Sequence, residues 1–146
     1  TNQGGNWTAM DVPPIHPGGQ GWPNTSLAAH PSNNTLVYIG GDRITVYPFS
    51  GNVRRGDSSA AVGSQFAIIM DAGGNNTAPH ADSRDLAFDA SGSLLESDDG
   101  GVYRRSNPTG AGTWTSAIGD LSVMEVHDLD HDGAVSRRQP VLGGLA

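Results

Sequence analysis

The sequence predicts an all-β protein, and three observations carry that prediction. Gly 21 and Pro 9 among 146 residues supply many turns and suit few helices. No window of about 12 residues sustains the apolar spacing of a helix. The stretch 79–103, PHADSRDLAFDASGSLLESDDGGVY, alternates short apolar runs with turn-forming residues.

The elements follow in order. Leu27-Ala28-Ala29 is the first expected strand, and the polar turn His30-Pro31-Ser32-Asn33 leads to a second at Leu36-Val37-Tyr38-Ile39. The pair Gly40-Gly41 turns the chain into a third, Ile44-Thr45-Val46-Tyr47. Residues 48–80 are rich in Gly, Asn and Ser and read as an insertion. The pattern then returns: Leu86-Ala87-Phe88, the turn Asp89-Ala90-Ser91-Gly92, Leu94-Leu95, the pair Gly100-Gly101, and Val102-Tyr103-Arg104-Arg105. A third copy starts near Val126, turns at Asp130-His131-Asp132-Gly133, and ends on Val141-Leu142-Gly143-Gly144, an echo of Tyr38-Ile39-Gly40-Gly41. The second and third copies lie about 40 residues apart, the period of a propeller blade. Expected blades are 7–47, 82–116 and 121–146 within one domain, with Trp7 and Trp114 as equivalent aromatics closing blades.

Composition narrows the function classes. Asp+Glu 15 against Lys+Arg 8 gives a net charge of −7. That balance argues against a nucleic-acid partner, which needs a positive footprint, and suits cation binding. Cys 0 removes disulfides, thiolate metal sites and cysteine nucleophiles. No apolar run is long enough for membrane insertion. The chain opens at Thr1 without a signal peptide and reads as a mature or excised piece. Ser58-Ser59 and Gly63-Ser64-Gln65 form no G-x-S-x-G elbow, and no phosphate loop or dinucleotide fingerprint occurs. Sequons at Asn6, Asn24, Asn33 and Asn75 are glycosylation candidates.

Ser97-Asp98-Asp99-Gly100-Gly101-Val102-Tyr103 resembles the Asp-box, the S-x-D-x-G-x-[TYW] turn of certain β-propellers, with Ser97, Asp99, Gly101 and Tyr103 at its positions. Asp99 is expected to accept hydrogen bonds from the turn's own backbone, and Tyr103 to bury beside the next strand. Residues 1–8 look like a second box with Gln3 in place of the acid. The run His80-Ala81-Asp82-Ser83-Arg84-Asp85-Leu86-Ala87-Phe88-Asp89 resembles a phrase of the bacterial sortilin-like propellers, and the pattern is similar to sialidases and xyloglucan-active glycosidases as well. Arg84 stands where that phrase often has a second His, and the likeness fades beyond Gly133. The resemblance implies antiparallel propeller blades, a site at the mouth of the ring, a small-molecule or carbohydrate substrate, and an extracellular or periplasmic location. A ring needs roughly 4–8 blades, and this chain supplies about two and a half. The remaining apolar faces predict a homo-oligomer if the chain is stable alone.

Two clusters could carry chemistry. Asp128, Asp130 and Asp132 alternate before Gly133, with Ser136 at the ninth position, which is the ligand spacing of a calcium loop. Gln139 stands at the twelfth position, where a bidentate Glu is wanted, and the alternative reading is a plain strand turn like Asp89 to Gly92. In an extended segment His80, Asp82 and Arg84 share one face and could act in acid–base catalysis, hold a metal or clamp a ligand; alternatively Asp82 and Arg84 pair to tie down the insertion. Glu96 is a further acid that could work with Asp82 in hydrolysis. Trp22, beside Gln20, Gly21 and Pro23, is a candidate sugar platform or a cover for the core, and Arg104 a candidate ligand contact. His16, His30 and His127 lack ligand spacing, and the doublets Arg54-Arg55, Arg104-Arg105 and Arg137-Arg138 read as solvated strand faces. The expected function is a calcium-associated hydrolase of a glycoside, ester or lactone; the alternatives are a non-catalytic glycan- or protein-binding module and a structural repeat.

Overall fold

The computed structural model describes residues 4–120 and two short strands beyond them, 129–131 and 140–142. The described chain is all-β, with one single-turn 3-10 helix at Ala72–Gly74. Strands β1 (Ser26–Ala29), β2 (Leu36–Gly40), β3 (Val53–Asp57) and β4 (Phe66–Ile68) form one antiparallel sheet in chain order. Strands β5 (Asp85–Phe88), β6 (Leu94–Asp98), β7 (Gly101–Arg105) and β8 (Trp114–Ser116) form a second with the same order. The last pair, β9 (Leu129–His131) and β10 (Pro140–Leu142), is antiparallel, with Asp130 opposite Val141.

Five expected strands appear as β1, β2, β5, β6 and β7. The expected strand at 44–47 does not form. Those residues belong to the loop between β2 and β3, where Val46 and Tyr47 are largely exposed and Pro48 has no N–H to give a ladder. The third strand is instead Val53–Asp57, so residues 48–80, expected as an insertion, contain β3 and β4. Arg-Arg-Gly at its centre hides this strand from a hydropathy reading.

Period-two alternation decides what each sheet buries. Leu36 and Tyr38 of β2 point inward, as do Leu94, Glu96 and Asp98 of β6. Leu36, Tyr38, Val53, Ile69, Met70, Leu86, Leu94 and Trp114 form one apolar cluster spanning both sheets. Each large side chain buried in this way contributes about 1.5–3 kcal/mol. Phe88 meets Tyr38 edge-on at 5.3 Å between ring centres, which locks β5 onto the first sheet.

The turns remote from His80 are fixed by a repeated device. Asp57 Oδ1 accepts from the Ser59 N–H at 2.9 Å and the Ser59 hydroxyl at 2.6 Å. Asp89 Oδ1 does the same with Ser91, at 2.9 and 2.6 Å, and also accepts from the Ser93 N–H. Arg104 Nε donates to Asp89 Oδ2 at 2.8 Å, and its Nη2 donates to Ser91 Oγ. The Ser91 hydroxyl first, and then Arg104, hold the Asp89 carboxyl well below its ordinary range. A depressed carboxylate stabilises the fold above the unfolded-state pKa, and that contribution is lost as pH falls through the folded value. Acid titrations of stability should therefore show a shallower low-pH limb in Asp89→Asn than in the wild type. Limbs of equal slope would assign the acid response to other groups.

Candidate functional site

The expected site residues converge only in part. His80, Asp82 and Glu96 lie at the end of the two sheets where β1, β3, β5 and β7 begin and β2, β4, β6 and β8 end. Residues 80–84 are not an extended run, because Asp82 adopts φ 68 and bends the chain. His80, Asp82 and Arg84 therefore do not share a face by strand alternation.

The bend is held by backbone bonds on both sides. The Asp82 N–H donates to Asp42 O at 2.6 Å, the Ser83 N–H to Gly41 O at 3.0 Å, and the Arg84 N–H to Ser97 O at 2.8 Å. These bonds turn Ser83 inward, where its hydroxyl meets that of Ser26 at 2.6 Å. Gly40 is required there, since an added Cβ would collide with both hydroxyls. Asp82 Oδ1 accepts from Asn24 Nδ2 at 2.7 Å, which draws in the loop that carries Trp22. Asn24 is itself buried, so the sequon at this position is closed to glycosylation in the folded chain. Trp22 is 92% exposed and covers no core.

His80 sits at the rim. Its Nδ1 lies 2.5 Å from Asp99 Oδ1, with the His80 side chain 57% exposed and that of Asp99 11% exposed. Asp99 thus serves His80 rather than the turn's own N–H groups. The turn is tied by its neighbour, as Asp98 Oδ1 accepts from the Gly100 N–H at 2.8 Å. Gly100 packs against the imidazole so closely that a Cβ there would meet His80 Cβ at 2.6 Å. Gly101 takes φ 134 to start β7, which places Val102 opposite Ser97 and leaves Tyr103 half-buried opposite Glu96 and Ser116.

Beneath the rim lies a buried acid pair. Glu96 is 1% exposed and Asp98 8%. With both carboxylates ionised, neither Glu96 oxygen nor Asp98 Oδ2 has a hydrogen-bond partner. Burial first, and then the charge of Asp98, push the Glu96 carboxyl up to about 10. Burial raises Asp98 as well. The Ser83 hydroxyl is engaged with Ser26 and falls short of a full bond to Glu96. A proton on Glu96 supplies the missing donor and hands Asp98 a hydrogen bond, so the pair shares one proton across neutral pH.

The other candidates lie elsewhere. Arg104 is committed to Asp89 and Ser91 at the opposite end of its sheet and does not reach the rim. Arg105, read as a solvated strand residue, is fully buried. Asp130 lies on β9, so part of the Asp string is strand; Asp128, Asp132 and Ser136 fall outside the described residues. Among the described residues no three His, Asp or Glu side chains converge as metal ligands, and no helix is long and apolar enough to cross a membrane. Sequence reasoning missed the partnership of Asp99 with His80 and the inward face of Asp98. The second was available, because Leu94 in the core fixes the parity of Glu96 and Asp98.

No protein-family model, no curated protein and no solved structure matches this chain.

Proposed function

We propose that this chain is built from Asp-box propeller blades and hydrolyses a glycoside, ester or lactone, with His80 as general base. The contact between His80 Nδ1 and Asp99 Oδ1 carries this reading. A carboxylate on Nδ1 fixes the tautomer with the proton on that nitrogen and leaves Nε2 as the acceptor. The half-exposed ring can then take a proton from water as it attacks a substrate carbonyl or anomeric carbon. Asp82, held by Asn24 beside the same rim, is in position to bind a substrate hydroxyl. Glu96 supplies no proton to solvent in this scheme, since it is buried. The succession of two four-stranded antiparallel sheets, with β1 beside β5, supports the blade reading.

Calcium held by Asp128, Asp130, Asp132 and Ser136 belongs to the same proposal, as does completion of the ring by further copies through apolar surface such as Leu27, which is 67% exposed. The test is turnover of chromogenic glycosides, esters and lactones with and without calcium. His80→Ala should cut the rate by about 10²–10⁴-fold, while Asp99→Asn should lower it by a smaller factor. Unchanged rates in both variants would remove His80 from the chemistry. A non-catalytic glycan-binding module is the second reading, and the exposed Trp22 favours it. Glycan binding lost in Trp22→Ala, with no turnover in the wild type, would decide for that reading.

A further inference from the structure

A cleft of about 500 Å³ opens on the first sheet. Its walls are Ile68 of β4, Pro14, Pro17, Ile44 and Val46, and Arg54 of β3 lines it as well. That volume is in the usual range of small-ligand pockets, about 300–1,000 Å³.

Arg54 is anomalous in its surroundings. It lies directly between Ile39 on β2 and Ile68 on β4, and Ile39 in turn pairs with Leu27. Its guanidinium is the one charge in an apolar row across the sheet. Its Nε donates to Asn52 Oδ1 at 3.1 Å, and its two terminal nitrogens make no hydrogen bond to any described residue. No carboxylate among the described residues pairs with it. Half-burying a cation without a counter-ion is unfavourable, and the same burial lowers its pKa. A planar fork with both terminal nitrogens open at an apolar wall has the geometry for bidentate capture of a carboxylate.

Asp71 also lines the cleft and accepts from the Ser50 hydroxyl at 3.3–3.4 Å. Its charge disfavours a second negative group on the ligand. Apolar walls, one open guanidinium and one repelling carboxylate together select a single negative charge on an apolar body.

We infer that this cleft binds an amphiphilic monocarboxylate, an aliphatic acid whose carboxylate lies on Arg54 and whose chain lies against Ile68, Ile44 and Val46. The lining of this site includes none of His80, Asp82 and Asp99, and it stands without the hydrolase reading.

The experiment is calorimetric titration of the whole chain with octanoate, octanol and octylammonium below their micelle concentrations, with mass by light scattering on the same sample. Octanoate should bind, while octanol and octylammonium should bind at least about tenfold more weakly. Arg54→Gln should weaken octanoate by a similar factor, and Arg54→Lys, which keeps charge without the fork, should fall between. Near-ultraviolet circular dichroism on each variant confirms that the fold is retained. Equal affinity for octanoate and octanol, or no effect of Arg54→Gln in a folded variant, would overturn the proposal in favour of non-specific apolar binding. Absence of octanoate binding overturns it too. If in that case Ile68→Glu also dissociates a multimeric wild type, the cleft is a contact between copies.

Discussion

Replacing Arg105 with alanine should destabilise the protein by about 3–5 kcal/mol, read as a shift in its urea unfolding midpoint. The side chain is fully buried at the end of β7. Its Nη1 donates to Gly112 O, and its Nη2 to Gly73 O and Gly110 O, each at 3.0 Å. One guanidinium thereby ties the β7–β8 turn to the 3-10 turn that precedes β5. It also lies over the Trp114 ring, 5.7 Å from its centre, and Trp114 Nε1 donates to Ile69 O at 2.7 Å. Truncation strands three carbonyl oxygens and opens a cavity beside the core. Arg105→Lys keeps the charge but cannot span three acceptors, so it should recover only part of the loss. A shift below about 1 kcal/mol in Arg105→Ala would show that water replaces the guanidinium without cost.

Glu96→Gln should change how stability depends on pH. The folded state holds a proton on Glu96 up to about 10, against an ordinary value of 4.5. Between those values the folded chain binds more protons than the unfolded one. This contribution is fully present below the unfolded pKa and is lost as pH rises through the folded one, by up to about 1.4 kcal/mol per pH unit. Glutamine carries a permanent donor for Asp98, so its stability should not fall along that limb. The variant should match the wild type near pH 5 and exceed it by up to about 4 kcal/mol near pH 8. A residual slope belongs to Asp98, which burial also raises. Parallel pH profiles for the two proteins would place the shared proton elsewhere.

Arg104 and Arg105 are neighbours with the same chemistry, yet Arg104 braces a surface turn through Asp89 while Arg105 is interred. Alternation along a strand guarantees that one of a doublet faces each side. Which side is the core depends on the packing of the second sheet against the first. Arg54 and Arg55 repeat the lesson, with Arg54 in the cleft and Arg55 Nη1 donating to Thr109 O. The candidate site divides in the same way. His80 and Asp82 are near neighbours in sequence, but the bend between them, with its positive φ at Asp82, follows from bonds to residues 41 and 42, remote in sequence.

The sequence by itself determined the all-β class, five of the strands and the position of the turn at 89–92, because apolar spacing and turn-forming residues act over a few residues. The strand at 53–57 was invisible, since its burial falls on Val53 and Gly56 and its middle is Arg-Arg-Gly. Only the tertiary structure paired His80 with Asp99 and left Arg54 without an acid among the described residues. Each of those outcomes is set by which surfaces the two sheets bring together, and a local pattern holds no record of a partner many residues away.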